Sequence, residues 1–392
     1  MKHIIGYTLR FILYRLVWPL FAWLGRFRKP DPQLILFLSE QEECMNGNFG
    51  PVWDSLTQAG YDCRFFGRAP GTGLSRKLRQ YLGTFKLLLL YARCATVFLD
   101  ESHAITNAVK PQYWQRIVQL WHGCGAFKRW GYSTMDKEWG ATPLIARLFP
   151  MHRNYSHALV SSPEVIPFHK DAYRCPPNIL RPWGVPRTDA YFAPDFAAAS
   201  RQTVMEAFPE IGQRKIIVYA PTFRGNRIAD AAFEDALDIS VLQEMLGTEC
   251  ALLLRPHPRV KQSLPAYPEG EVPFAFDARS LPIEALLGAA DLLISDYSSL
   301  IFEYALLKRP MLFYAYDLDA YEASRSFYEP YISFVPGTLC WSSYDVAESA
   351  YAALFGAGFD TAQLDAFLTR YMRSCDGHST QRLLVQLGLL PK

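Results

Sequence analysis

Short apolar runs alternate with helix-length segments through most of this 392-residue chain, and that alternation constrains its fold more than any other feature. Leu34–Leu38, Cys63–Phe66, Thr96–Leu99, Ile117–Leu120 and Ala158–Val160 read as buried strands. Helical stretches such as Pro51–Ala59 and Tyr81–Arg93 lie between some of them. A parallel sheet covered on both faces gives this pattern. The chain turns proline-rich around Pro176, Pro177, Pro182 and Pro186. A second strand set follows: Ile216–Tyr219, Ala251–Leu254, Pro273–Phe276, Leu292–Ile294 and Met311–Tyr314. The expectation is two α/β domains in tandem, residues 31–187 and 188–392, preceded by a distinct segment, residues 1–30. The length is ample for two cores. Apolar residues make up 50% and charged residues 20%, which excludes extensive disorder.

The first segment has its own character. The formal net charge is only +2, yet every charged side chain before Asp31 is basic: Lys2, Arg10, Arg15, Arg26, Arg28 and Lys29. Ile4 to Leu24 is mainly apolar and aromatic, interrupted by Arg10 and Arg15. A spanning helix needs about 20 mainly apolar residues, and no small-x-small cleavage site follows. A helix lying in the headgroup layer suits the composition, because arginine stems snorkel and tryptophan favours the interface. Packing against the rest of the protein is the alternative. Ser75 to Arg93 also sets basic residues around an apolar run, fitting either a solvated or a lipid-contacting face. The cysteines are scattered, without a C-x-x-C pair, so neither a zinc ribbon nor a thioredoxin-type site is expected.

In open parallel sheets, ligands bind beyond the carboxyl ends of strands. Polar residues recur at those places here. Leu34–Leu38 leads to Asn46-Gly47-Asn48, Ile117–Leu120 to Trp121-His122-Gly123-Cys124-Gly125, and Ile216–Tyr219 to Thr222 and Arg224. Ala251–Leu254 leads to Arg255-Pro256-His257-Pro258, and Leu292–Ile294 to Ser295-Asp296-Tyr297-Ser298-Ser299. Ser298 and Ser299 fall at a helix start, where free N–H groups and the dipole suit phosphate oxygens. Simple capping by Asp296 or Ser298 is the competing reading. Glu303 lies one turn on, either reaching ribose hydroxyls or merely solvated. His257, held extended between two prolines, can with Arg255 contact a diphosphate, or it is a loop histidine without a task. His122, followed by glycines that allow close approach, can deprotonate an alcohol; a structural histidine is the alternative.

Taken together, these blocks resemble the CDP-glycerol glycerophosphotransferase family, the teichoic-acid primases and polymerases of bacterial envelopes. The residues that carry the resemblance run from Gln119 to Tyr132, Gly184 to Asp189, Tyr219 to Arg224, Arg255 to Pro258, and Ala290 to Glu303, continued by Ser324 to Tyr328. The resemblance implies a GT-B-like fold, two Rossmann-like domains with parallel sheets facing a cleft; the membrane-associating N-terminal helix is the expectation from the composition of residues 1–30. It implies transfer of glycerol phosphate or ribitol phosphate from CDP-glycerol or CDP-ribitol to a hydroxyl of a lipid-linked glycan, releasing CMP. His122 and His257 are then the catalytic candidates. Thr222, Arg224, Arg255, Asp296, Ser298, Ser299 and Glu303 fall on the donor side, and Asn46, Gly47, Gly123 and Lys128 on the acceptor side. The expected location is peripheral, on the cytoplasmic face of the cell membrane.

Two other readings compete: a GT-B glycosyltransferase using a nucleotide sugar, and a non-catalytic membrane-bound glycan-binding protein. No carboxylate cluster has metal-binding spacing, so no protein-held metal is expected, and magnesium enters only with the donor diphosphate. Nucleic acid is not an expected partner, since basic residues gather at the apolar N-terminus and not on an aromatic sheet face.

Overall fold

The computed structural model describes residues 2–25, 27, 29–41, 47–69, 71, 73–135, 137, 140–222, 224, 237–256, 273–356 and 359–391. The chain divides into two compact units, Met1–Asp189 with Arg373–Lys392, and Ala190–Met372.

The first unit holds a six-stranded sheet. Its strands are β1 (Asp31–Leu38), β2 (Asp62–Phe66), β3 (Cys94–Leu99), β4 (Arg116–Gln119), β5 (His157–Leu159) and β6 (Leu180–Arg181). They lie in the order β2-β1-β3-β4-β5-β6, every pairing parallel. Leu38 pairs with both Phe66 and Leu99, and Leu99 with Gln119. The carboxyl ends of the central strands are therefore level, and Ser39, Asp100 and Leu120 leave the sheet along one edge. One face is covered by the helices Phe49–Gln58 and Ser379–Gln386, whose Phe49, Val52, Leu383 and Leu384 pack on Ile35, Phe37, Phe98 and Val118.

Residues 373–392 thus belong with the first sheet, whereas the sequence expectation ran the second domain to the C-terminus. Local chemistry explains the return. Asp189 accepts hydrogen bonds from the N–H groups of Ser379 (2.9 Å) and Thr380 (2.8 Å), satisfying orphan donors at a helix start. Arg382 donates to the carbonyls of Trp183 (2.8 Å) and Ser374 (2.9 Å). Gly184 sits at φ +85°, and a Cβ there would lie 2.3 Å from both the Ser374 carbonyl oxygen and the Ser379 hydroxyl. The Gly184–Asp189 block is a socket for the last helix.

The N-terminal segment is helical from Lys2 to Gly25, with a π turn at Leu13–Val17. One face is packed. Tyr14 is buried and meets Phe149 edge-on at 5.6 Å, Arg10 lies 4.5 Å over the same ring, and Phe21 stands 4.7 Å from Phe85. The other face leaves Leu16, Leu20, Trp23 and Leu24 exposed, as the helix Gly73–Tyr91 leaves Leu78, Tyr81 and Leu82. Among the described residues no helix is long and apolar enough to cross a membrane.

The second unit repeats the architecture. Its strands are β7 (Lys215–Ala220), β8 (Cys250–Leu254), β9 (Ala275–Asp277), β10 (Leu292–Ser295), β11 (Met311–Tyr314) and β12 (Thr338–Cys340). They are ordered β12-β11-β10-β7-β8-β9, again wholly parallel. The helices Ile239–Leu246 and Ser343–Phe355 cover one face, with Leu242, Val346 and Ala350 on Ile217, Leu252 and Ile294. Ser295 pairs with Ala220 and Phe313, which brings the segments after β7 and β10 side by side. All ten strands expected from the sequence are present. The two additional ones, β6 and β12, are two and three residues long, too short to carry a period.

Candidate active site

In the first unit the sheet edge builds a histidine site. After β4, Leu120 continues the ladder by donating its N–H to the Leu99 carbonyl (2.7 Å). Trp121 then adopts φ +61°, a left-handed conformation that costs a bulky residue energy unless its surroundings impose it. They do. The Trp121 N–H donates to Gln119 Oε1 (2.8 Å), and Asn48 Nδ2 donates to the Trp121 carbonyl (2.7 Å). Asn48 Oδ1 also accepts from the Arg187 N–H (3.0 Å), so one buried amide ties three segments together.

The reversed turn presents His122 outward, with its side chain 51% exposed. Its Nδ1 is 3.4 Å from the Asp100 carbonyl oxygen and 3.9 Å from Glu101 Oε1, and Trp121 stacks on the ring at 4.2 Å. A proton on Nδ1 serves those oxygens and leaves the Nε2 lone pair directed away from them. Desolvation by surrounding protein lowers the His122 pKa below 6.5, and Glu101 opposes the shift. The ring is therefore neutral at physiological pH, the form a general base requires. Asp100 is itself fixed: it is buried, and the Ser39 hydroxyl donates to its Oδ2 (2.8 Å). Behind Trp121 stand Trp130, His152, Tyr155 and Tyr173, with His152 Nδ1 3.1 Å from the Tyr155 hydroxyl.

Among the other acceptor-side candidates, Gly123 and Lys128 are partly buried on the His122 segment, and Gly47 takes φ +68° just before the helix Phe49–Gln58. Asn46 lies outside the described residues. Sequence reasoning placed Asn48 in a strand-end block without giving it a role, and it missed two further residues, Asp100 and Glu101. The last two follow β3, and the strand-end rule extended to that strand would have found them.

In the second unit, Asp296 follows β10 and is buried. It accepts from the Thr222 hydroxyl (2.6 Å) and N–H (2.9 Å), from Arg224 Nη1 (2.8 Å) and from the Tyr297 N–H (2.6 Å). Asp317 takes Arg224 Nε (2.6 Å) and Nη2 (3.0 Å) and the Tyr297 hydroxyl (2.8 Å). Burial opposes the Arg224 charge, yet Asp296 and Asp317 raise its pKa above the ordinary value. The rings of Tyr297, Tyr316 and Tyr321 lie 5.1–5.2 Å from the guanidinium. Thr222, Arg224 and Asp296 thus direct much of their bonding capacity at one another.

Ser298 and Ser299 are partly exposed above this knot, and Ser298 Oγ accepts from the Leu300 N–H (3.3 Å), the capping role that competed with phosphate binding. Glu303 is only 2% exposed, so it is not a solvated carboxylate. Arg255 donates Nη1 to the Arg279 carbonyl (2.9 Å), and burial lowers its pKa. His257 lies outside the described residues. Among those described, no group of three or more His, Cys, Asp or Glu side chains is placed to hold a metal.

Residues 21–387 match the family described as CDP-Glycerol:Poly(glycerophosphate) glycerophosphotransferase. The chain belongs to this family. It is accordingly a phosphotransferase. Similar sequences include the teichoic acid ribitol-phosphate polymerase TarK of Staphylococcus aureus, 35% identical over 90% of this chain and 68% of that protein. TarL of the same organism is 34% identical, and this chain spans 62% of its length. The teichoic acid ribitol-phosphate primase of Bacillus spizizenii is 33% identical over 89% of each. Among solved structures, the H444N variant of the wall teichoic acid polymerase TagF, soaked with CDPG, superposes with a TM-score of 0.76 at 20% identity, covering 99% of this chain and 98% of that one. That likeness shows the fold. A UDP-GlcNAc 2-epimerase from Neisseria meningitidis has the same general architecture, with a TM-score of 0.55 at 13% identity, so architecture alone does not choose the chemistry.

Proposed function

We propose that this protein transfers glycerol phosphate or ribitol phosphate from a CDP-activated polyol to a hydroxyl of a lipid-linked glycan, releasing CMP, in synthesis of a teichoic-acid-like envelope polymer. The acceptor oxygen bonds to the donor phosphorus distal to cytidine. The bond from that phosphorus to the bridging oxygen breaks, and CMP leaves with its electron pair. His122 takes the hydroxyl proton and later yields it to solvent. The observation that carries this reading is His122 itself, neutral, outward-facing and oriented by Asp100 and Glu101 at a strand end. His257, Arg255, Ser298 and Ser299 are proposed to hold the donor diphosphate, and any magnesium arrives with it.

Ribitol phosphate is favoured by the names of TarK, TarL and the primase, which match across about nine-tenths of this chain. A glycerol-phosphate primase of Bacillus spizizenii matches at 32% over 63%. The exposed apolar residues of the N-terminal helix and of Gly73–Tyr91, beside a basic N-terminus, support a peripheral position on the cytoplasmic face of the membrane. The test is to offer CDP-glycerol, CDP-ribitol and UDP- and GDP-sugars with a lipid-linked disaccharide, following CMP and product mass. CMP release with a mass gain of one polyol phosphate is expected. Consumption of nucleotide sugars alone sinks the reading.

A further inference from the structure

Gln119 ends β4 in the middle of the first sheet, paired with Leu99 of β3 on one side and Ala158 of β5 on the other. Its side chain is fully buried. Burying an amide costs free energy unless its donors and its acceptor find partners. Here they do. Oε1 accepts the Trp121 N–H (2.8 Å), while Nε2 donates to the Glu101 carbonyl (3.0 Å) and to the Tyr155 hydroxyl (3.0 Å). A backbone N–H only donates and a carbonyl only accepts, so a flipped amide would lose both backbone bonds. The orientation is fixed by its partners.

The two ends of this amide hold the two halves of the histidine site. Oε1 holds the left-handed turn at Trp121 from which His122 projects. Nε2 holds the backbone of Glu101, whose carboxylate lies 3.9 Å from His122 Nδ1 and whose neighbour Asp100 places a carbonyl oxygen 3.4 Å from the same atom. Both contacts to the ring are long, so a small displacement of either half weakens them. The network behind the amide is anchored as well. Tyr155 accepts from Gln119 and stands 3.1 Å from His152 Nδ1, and burial holds the His152 pKa at about 3, so that ring is neutral and accepts the tyrosine proton. The His152 N–H (3.2 Å) and Asn107 Nδ2 (2.9 Å) both donate to Ser102 Oγ, pinning the segment one residue past Glu101.

We propose that Gln119 is a positioning residue for the transfer reaction: by holding Trp121 and Glu101 on one amide, it sets the distance between His122 and the oxygens that orient its ring. An amide suits the task because it carries an acceptor and donors at a fixed spacing. Buried as it is, Gln119 acts only through His122. The kinetic consequence rests on the reading of His122 as the base; the geometric one does not.

The test reads both. Desolvation lowers the His122 pKa, Glu101 and Asp100 raise it, and Arg187 lowers it further. Gln119→Met keeps the volume and removes every polar contact, so Glu101 is no longer held beside the ring. NMR titration of the histidine Cε1–H signals, with His122 assigned by its loss in His122→Ala, should show the His122 pKa falling by up to about one unit. Combined with Glu101→Gln, the fall should be smaller than the sum of the two single effects, because both remove the same interaction. CMP release should lose about 10- to 100-fold in kcat with donor KM little changed, since the donor-side residues lie in the second unit. Should Gln119→Met not fold, Gln119→Asn draws the amide back by one carbon, cannot keep both backbone bonds, and should move pKa and kcat in the same directions. A folded variant with the wild-type His122 pKa and kcat overturns the proposal, as do pKa shifts that add across the cycle. Should His122→Ala keep its turnover, the base assignment falls and the titration alone decides the role of Gln119.

Discussion

His122 in the first unit and Arg224 in the second both sit just beyond strand ends, but their surroundings differ. Arg224 is held by two carboxylates, both of which take a Tyr297 donor as well, among three tyrosine rings, with its side chain 15% exposed. His122 has one long contact to a carbonyl, a carboxylate at ion-pair range, a strained neighbour and half its surface open. A side chain whose bonding capacity is consumed internally holds shape, while one positioned yet left with an open lone pair performs chemistry. The motifs around both look equally functional in the sequence; only the partners tell the two apart.

The contrast can be broken most forcefully at the knot. Arg224→Ala leaves Asp296 buried without its cation, and truncating one partner of a buried pair costs about 3–5 kcal/mol. Chemical denaturation should show the loss, and Arg224→Lys should recover only part of it, because an ammonium does not reproduce the forked contact to both carboxylates. Wild-type stability in the Ala variant would mean that the knot is not structural.

Acid should separate the units next. Burial lowers His103 and His169 to about 4 and His152 to about 3, all in the first unit, whereas His257 is the one histidine in the second. The unfolded chain takes up protons below about pH 6.5 and the folded one does not until far lower, so this stability is complete above 6.5 and drains as pH falls toward 4. By pH 5 the loss is roughly 2 kcal/mol for each histidine. Hydrogen exchange at pH 7 and pH 5 should show the first unit losing protection. Equal loss in both units would contradict this.

A smaller effect sharpens the histidine side. Activity should rise as pH climbs through the His122 pKa, with a midpoint below 6.5, since the neutral ring is the base. Glu101→Gln removes a charge that raises that pKa, so the acid limb should move to lower pH by up to about one unit. A shift to higher pH would show that Glu101 does not act on His122.

Much of this was legible in the sequence. Continuous apolar runs such as Leu34–Leu38 and Leu292–Ile294 located ten strands, because buried parallel strands have no polar face to blur them. The glycines after His122 pointed to its turn. The strain, however, sits on Trp121, and it depends on Asn48, 73 residues away. The return of residues 373–392 to the first sheet is similarly non-local: Asp189 reads as part of a motif, and only the fold shows it capping the last helix. Glu303 has a helix-surface spacing but is buried, and periodicity on a six-residue helix cannot resolve a face.

The most direct measurement is CMP release in a single turnover by His122→Ala, with CDP-glycerol and CDP-ribitol as donors. Loss of a positioned general base should slow the step by about 10²- to 10⁴-fold. Donor affinity should hold, as should thermal stability, because few bonds depend on the ring. Unchanged turnover, or a loss that tracks unfolding or donor release, would contradict His122 as the base.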